Sequence, residues 1–361
     1  MSNSYGKIFR ISLFGESHSE AIGVVIDGVP SGVAIDMDEV LFEMSRRAPG
    51  KNQFSTPRAE SDIPEFLSGV FDGKTTGTPI CTVIKNTNTR SSDYHPEILR
   101  PAHADYSGKL RYNGFNDYRG GGHFSGRLTA PIVLAGAIAK QIIKKENIEV
   151  FSHIKNIGKV YDDTFDFANP DISALKKLKD KTLQFINSEK EKLAEEEILS
   201  AKNNADSIGG SIEIVATGIP GGIGSPFFES VESRLASMLF SIPAVKAVEF
   251  GIGADFSEMV GSKANDSFEI KDGEIRTKTN NNGGINGGIT NGMPVVFSVV
   301  IKPTPSIGKE QETVNIETKE NITTTIAGRH DPCIVQRAVP VIEAATAITL
   351  LDLILEAKTY A

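Results

Sequence analysis

Cysteine is nearly absent: Cys81 and Cys333 are the only two in 361 residues. They lie far apart with no second pair, which excludes a disulfide framework and a thiolate zinc site and leaves two reduced, inert thiols. No metal centre is expected. Basic charge is also short, with 38 Lys and Arg against 46 Asp and Glu and a net charge of −8. A phosphate backbone demands a basic surface, so a general nucleic-acid binder is excluded. No G-x-G-x-x-G follows the first strand, no G-x-x-x-x-G-K-[ST] occurs, and no internal repeat marks a solenoid. No basic-then-apolar leader opens the chain, so a cytoplasmic location is expected. The longest apolar stretch, Val335–Ala357, is broken by Arg337, Glu343, Asp352 and Glu356. It reads as a buried helix, and no membrane association is expected.

What is present is an ordinary globular composition, 39% hydrophobic and 23% charged. One large domain or two modest ones would fit. Residues 7–14 read as a strand with Phe9, Ile11 and Leu13 on one face. A helix is predicted from Asp36 or Asp38 as cap, with Val40, Leu41 and Met44 as its apolar stripe, ending before Pro49-Gly50. A second spans about 128–145, with Pro131 in its first turn. Residues 176–202 read as an exposed amphipathic helix, and 210–218 as a strand alternating across a half-buried sheet. The C-terminal helix, with Pro340 placed in its first turn, is apolar nearly all round and belongs at the centre. The N-G steps of 280–292 are hairpin signals.

Charge is unevenly spread. Residues 162–206 hold eleven carboxylates against seven lysines, a balance of −4, and read as an exposed, charged helical segment. Residues 100–127 hold five cations against two acids, a balance of +3. That positive stretch lies among glycines and histidines. Gly120, Gly121 and Gly122 before a helix suit close approach of an anion to backbone N–H groups, or else form a flexible turn with Ser125 as a cap. His18 and His103 sit in loops beside Glu16 and Asp105, where an imidazole can exchange protons near neutral pH or simply hydrogen-bond. Arg10, Arg46, Arg47, Arg100, Arg119, Arg127, Arg329 and Arg337 fall in the same Gly-rich segments. Arginine at that density suits carboxylate and phosphate recognition. The segment 302–306 follows an apolar strand and is either a ligand-holding loop or a proline turn. Asp331 could cap the last helix.

Nine segments, taken in order, resemble the chorismate synthase family from end to end: FGESH (14–18), RRAPG (46–50), RPAHAD (100–105), DYRGGGHFSGR (117–127), AVKAVEFG (244–251), GSKAND (261–266), GGINGGITNG (283–292), KPTPSI (302–307) and GRHDPC (328–333). The resemblance implies an α+β sandwich with central helices between antiparallel sheets, in one domain over 1–361, assembled as a homotetramer. It implies a trans 1,4-elimination of phosphate from 5-enolpyruvylshikimate 3-phosphate to chorismate, with reduced flavin mononucleotide (FMN) and no net redox change. It assigns His18 to protonating the departing phosphate and His103 to protonating the flavin, both as cationic imidazoles. Asp331, Ser17 and Ser125 complete the catalytic set. Flavin contacts fall on His123, Phe124, Ser125, Pro243, Ala244, Gly287, Gly288, Lys302, Pro303, Thr304, Pro305, Ser306 and Arg329, and substrate contacts on Arg47, Arg127 and Arg337. Arg47 also carries an implied contact to NADPH, which otherwise enters only as an external reductant.

Four positions depart from the family pattern. Ser19 and Ala102 stand where glycine is usual, and both are expected to reflect tolerant backbone angles. His123-Phe124 replaces the usual Arg-Ser, and Gln53 an arginine. The rival readings are a flavin-dependent oxidoreductase acting on an anionic substrate, which shares the pocket but consumes reductant, and an anion-sensing module, which has no use for the histidines.

Overall fold

The computed structural model describes residues 3–50, 54, 62–87, 94–326 and 331–360. Two five-stranded antiparallel sheets enclose helices. In the first, the strands run in the order Ser4–Tyr5, Arg10–Gly15, Ala21–Asp27, Ile80–Lys85 and Glu65–Ser68. In the second the order is Val245–Phe250, Val295–Ile301, Gly210–Thr217, Glu149–Ile157 and Val160–Tyr161. The helices are α1 (Met37–Arg47), α2 (Asp105–Arg111), α3 (Thr129–Lys144), α4 (Ile172–Leu178), α5 (Ser188–Asn203), α6 (Val231–Phe240), the single turn α7 (Gly261–Ala264) and α8 (Val335–Ala357). This is the α+β sandwich expected.

Helix α3 packs on the first sheet, α8 on the second, and the two pack on each other. Both are apolar nearly all round because both are covered on every side. Among the described residues, two stretches are long and apolar enough to cross a membrane, Arg119–Lys144, which ends in α3, and α8 itself, and 89% of each apolar window is buried. Gly136 sets their approach: a Cβ there would lie 2.2 Å from the Cβ of Ala344. The acids that interrupt α8 are internally matched. Asp352, fully buried, accepts from the backbone N–H of Lys7, Ile8 and Phe9 and pairs with Arg234. Glu343, also fully buried, binds Arg46, Lys140 and Ser152.

Asp36 caps α1 as expected, accepting from the N–H of Asp38 and Glu39. Leu41, assigned to its apolar stripe, is instead half-exposed, and Glu43 is buried in its place. Pro340 falls in the second turn of α8, since the helix starts at Val335. The segment 162–206 corrects a larger expectation. It forms two helices rather than one, separated by a turn that buries Leu183 and Phe185, and α4 covers the outer face of the second sheet with Leu175 and Leu178 on Phe151, Val215 and Val296. The strand Gly210–Thr217 is therefore buried on both faces instead of alternating. The hairpin expected in 280–292 forms at the Asn286-Gly287 step, with Gly287 and Gly288, at φ of 62° and 86°, as its two turn residues.

Candidate functional site

A cavity of about 930 Å³ opens where the first sheet, the start of α3, the end of α6 and the start of α8 meet. Six basic residues line it, Arg47, Arg100, Arg127, Arg337, Lys246 and Lys302, against three acids, Asp105, Asp117 and Asp331. An apolar wall of Ile11, Leu13, Leu128, Ile132, Met238 and Val341 faces them.

The cationic floor is built from helix ends. Arg47, the last residue of α1, is buried and donates from Nη1 to Asp62 Oδ2 at 2.7 Å, from Nε to Thr129 Oγ1 at 3.1 Å and from Nη2 to the Gly126 carbonyl at 3.1 Å. Arg127 is buried beside it, donating to the other oxygen of Asp62 and, from Nε, to Asn86 Oδ1 at 2.9 Å. One carboxylate thus serves two guanidinium groups. Burial pushes Arg47 down to about 10, Asp62 opposes that, and Arg337 and Arg127 add to it, so Arg47 stays charged at neutral pH. Arg337 pairs with Asp331 at 2.5 Å and donates to the Arg47 carbonyl at 3.2 Å, joining α8 to α1.

Over this floor runs the loop 119–124, with φ of 62°, 83° and 53° at Gly120, Gly121 and Gly122. A side chain at Gly120 would strike His18, its Cβ lying 2.6 Å from Nε2, and Ser17 Oγ at 2.8 Å. Neither Ser17 nor His18 is among the residues lining the cavity; His18 lies against Gly120 of the loop and edge-on to Tyr94, a wall residue, with ring centroids 5.3 Å apart. Ser17 is buried and donates its N–H to the Gly122 carbonyl. Ser125 accepts from the N–H of Arg127, the capping role weighed above, while also facing the cavity. His123 Nδ1 lies 2.8 Å from the Gly15 carbonyl, which fixes that nitrogen as the donor. Phe124 packs towards Tyr112 and Gly108 of α2.

His103 sits opposite. Its Nδ1 donates to the Pro101 carbonyl at 3.0 Å, and its Nε2 lies 2.8 Å from Ser306 Oγ, which donates when the ring is neutral. Burial and then Arg100 hold its pKa below the ordinary histidine value. The expectation of a cationic His103 concerns the site with its anionic ligands bound; in the protein by itself burial and Arg100 work against that charge. The expectation for Ala102 is corrected: its φ of 59° is left-handed, so this position is strained rather than tolerant. Ser19 has no such angle, and its hydroxyl bonds within the turn to Glu16 and Ala21.

Of the implied flavin-contact residues, His123, Phe124, Ser125, Pro243, Ala244, Lys302, Thr304, Pro305 and Ser306 line the cavity. The Lys302 N–H donates to the Ala244 carbonyl, tying the two segments together. Pro303 is exposed and off the wall, and Gly287 and Gly288 lie at their hairpin turn, where the Gly288 carbonyl accepts from the Val231 N–H. Arg329, His330 and Gln53 lie outside the described residues. The arginine cluster read from the sequence also divides. Arg100 is clamped by Asp105 at 2.7 and 2.9 Å and Arg119 by Asp117 at 2.8 and 2.9 Å; Arg46 turns to Glu43 and Glu343, and Arg10 to Asp27 on the surface. Asp62 and Tyr94 belong to the site and carried no linear signal, while Lys246 was marked only by its place in the segment 244–251.

Taken together, these features define an enzyme-type pocket for a small anionic molecule: cations in excess, two imidazoles at the wall, His103 and His123, and an apolar face. The chorismate synthase family profile matches residues 9–355. Chorismate synthases of Methanocaldococcus jannaschii and Dehalococcoides mccartyi are 46% and 48% identical over 367 and 360 aligned residues, covering 99% of this chain in each case and 97% and 98% of the relatives. A crystal structure of chorismate synthase superimposes with a TM-score of 0.78 at 30% identity, over 98% of this chain and 93% of the other. The chain belongs to the chorismate synthase family, whose members are carbon–oxygen lyases of the shikimate pathway.

Proposed function

We propose that this chain converts 5-enolpyruvylshikimate 3-phosphate to chorismate by trans 1,4-elimination, losing phosphate from C3 and hydrogen from C6, with reduced FMN and no net oxidation. The observation that carries the reading is the cavity's six-to-three excess of basic residues in a chain whose net charge is −8. A substrate with one phosphate and two carboxylates needs such a pocket. Arg47, Arg127 and Arg337 hold those groups as planar, multi-donor partners.

The cavity also fits a flavin. It is large enough for a second ligand beside the substrate, its apolar wall suits a ring system, and Thr304 Oγ1, buried on its lining, has no hydrogen-bond partner among the described residues. His123, Phe124, Ser125, Pro243, Ala244, Lys302, Thr304, Pro305 and Ser306 would hold it, with Pro303 flanking; Arg329 joins them on the family resemblance alone. When bound it supplies electron density to the breaking allylic C–O bond and takes up the C6 hydrogen. His18, braced by Gly120 and Tyr94, delivers a proton to the departing phosphate. His103 exchanges its proton at Nε2 through Ser306, while Nδ1 stays pinned by Pro101. Ser17, Ser125 and Asp331 support these transfers. Glycines 287 and 288 would reach a cavity only from another subunit of the proposed homotetramer. Exposed Phe227, Phe228, Phe268 and Ile270 support such assembly. The reaction is placed in the cytoplasm, in one catalytic domain, with NADPH acting only through an external reductase.

The test is an anaerobic assay with pre-reduced FMN and the purified protein. One phosphate and one chorismate per substrate, with the flavin still reduced, supports the reading. Oxidation of flavin in step with product favours the oxidoreductase alternative. Loss of NADPH absorbance at 340 nm at the rate of chorismate formation would show a built-in reductase. Alanine at His18 or His103 should lower turnover by about 10²–10⁴, the usual worth of a positioned acid or base.

A further inference from the structure

Behind the large cavity, between the end of α1, the turn after α4 and the first turn of α8, lies a second one of about 230 Å³. It is wide enough for a small oxyanion with a few waters, since each liquid water occupies about 30 Å³. Arg46, Lys179, Lys181 and Arg337 line it, against one exposed acid, Asp180. Two of these cations are matched elsewhere: Lys181 by Glu191 at 2.8 Å and Arg337 by Asp331. The buried cluster beneath is not balanced. Arg46, Lys140 and Lys179 share Glu43 and Glu343, which leaves one positive charge over. Arg46 and Lys140 hold carboxylate oxygens at 3.0 Å or less, so the surplus falls on Lys179, whose nearest carboxylate, among the described residues, is Glu43 at 3.9 Å. Burial and then Lys140 depress the Lys179 pKa, as expected of an under-matched ammonium. Two lining residues also have unused acceptors: Gln184 Oε1 and Gln336 Oε1 are buried with no hydrogen-bond partner among the described residues, while Gln336 Nε2 donates to the Phe54 carbonyl.

A ligand that completes this site must bring negative charge for Lys179 and a hydroxyl proton for the glutamine carbonyls. We propose that the smaller cavity binds inorganic phosphate in its hydrogen-bearing form, as a site separate from the catalytic pocket. Arg337 is common to the walls of both cavities, so the bound ion sits one side chain away from the larger one. Nothing in this inference depends on the elimination chemistry, and its test reads binding alone.

Phosphate is titrated calorimetrically into the wild-type protein and into Lys179→Met and Lys179→Arg at constant ionic strength. The wild type and the arginine variant should show one more phosphate per chain than the methionine variant, or a site at least 10-fold tighter. Sulfate, which has no proton to donate at neutral pH, should bind this site more weakly. In phosphate-free buffer the methionine variant should melt no lower than wild type, because it removes the surplus charge. Crystals of the wild-type protein soaked in arsenate give a readout free of any variant, with anomalous signal expected beside Lys179. Equal stoichiometry and affinity in wild type and Lys179→Met, sulfate binding as tight as phosphate, or arsenate confined to the larger cavity would overturn the proposal.

Discussion

Replacing Asp62 with Asn leaves the volume of the site unchanged and removes the one carboxylate that, among the described residues, is shared by Arg47 and Arg127. Both arginine side chains are 4% exposed and the Asp62 side chain is fully buried, so solvent cannot take over its role. The amide oxygen can accept from one guanidinium, but the amide NH₂ then points donors at the other. Breaking one partner out of a buried ion pair costs about 3–5 kcal/mol. At roughly 2 °C per kcal/mol for a chain longer than 150 residues, the midpoint of thermal unfolding should fall by about 6–10 °C. The penalty is for surplus charge, which gives a second signature. Arg127→Met keeps Asp62 matched with Arg47 and should cost less than Asp62→Asn. Adding Arg127→Met to Asp62→Asn should recover part of the loss, a coupling outside the additivity of independent sites. A phosphate-bearing ligand should also raise the melting point of Asp62→Asn by more than that of the wild type, because it restores negative charge. Scanning calorimetry of the four proteins, with and without ligand, measures all of this. A fall under about 2 °C for Asp62→Asn, or strictly additive effects in the double variant, would refute the view that one carboxylate balances two arginines.

Three further outcomes are expected. Because burial and Arg100 keep His103 below its ordinary pKa in the protein alone, binding of an anionic ligand near neutral pH should take up a proton at this ring; calorimetry in buffers of different ionisation enthalpy should detect it, and His103→Gln should abolish it. Ala102→Gly should leave stability unchanged or raise it by up to about 1 kcal/mol, since relief of the left-handed strain, roughly 1–2 kcal/mol, exceeds the entropy that glycine adds to the unfolded chain. His153, fully buried between Asp162 and Glu213 at 3.1 and 3.0 Å, has a raised pKa because those hydrogen bonds outweigh burial, and Glu213 is lowered for the reciprocal reason. The stabilisation from the imidazolium is complete below the ordinary histidine pKa and is lost as pH rises through the raised value, whereas that from Glu213 is lost as pH falls through its depressed value. Denaturant titrations of wild type and His153→Gln should therefore differ most near pH 5–6, about the lower edge of the ordinary histidine range, and converge in alkali.

Local signals placed the elements whose causes are local. Asp36 caps α1 because its own carboxylate reaches the next two N–H groups, and α3 and α8 advertise their burial by having no polar face. The strand Gly210–Thr217 shows where that logic stops. Ser211 and Glu213 look like a solvent face, yet both are buried, because α4 and its flanking segments roof the sheet and His153 and Thr164 meet Glu213 there. Leu183 and Phe185, which anchor that roof, sit in a Lys-rich stretch with no helical period of their own, so the sequence reads as an exposed appendage.

The charge of the site follows the same division. The +3 balance of residues 100–127 points to the right segment for a reason that does not survive into the structure. Arg100 is matched by Asp105, Arg119 by Asp117, and Lys109 and Arg111 are exposed on α2, so of those five cations Arg127 alone stands on the buried cationic floor. The rest of that floor comes from the ends of α1 and α8, Arg47 and Arg337, separated in sequence by 290 residues yet joined by the hydrogen bond from Arg337 Nε to the Arg47 carbonyl. Counting arginines could say that an anion is bound; which ones are left to bind it is decided by partners such as Asp62, and a carboxylate's partner is set by the packing of α1 against α3 and α8, not by its neighbours in the chain.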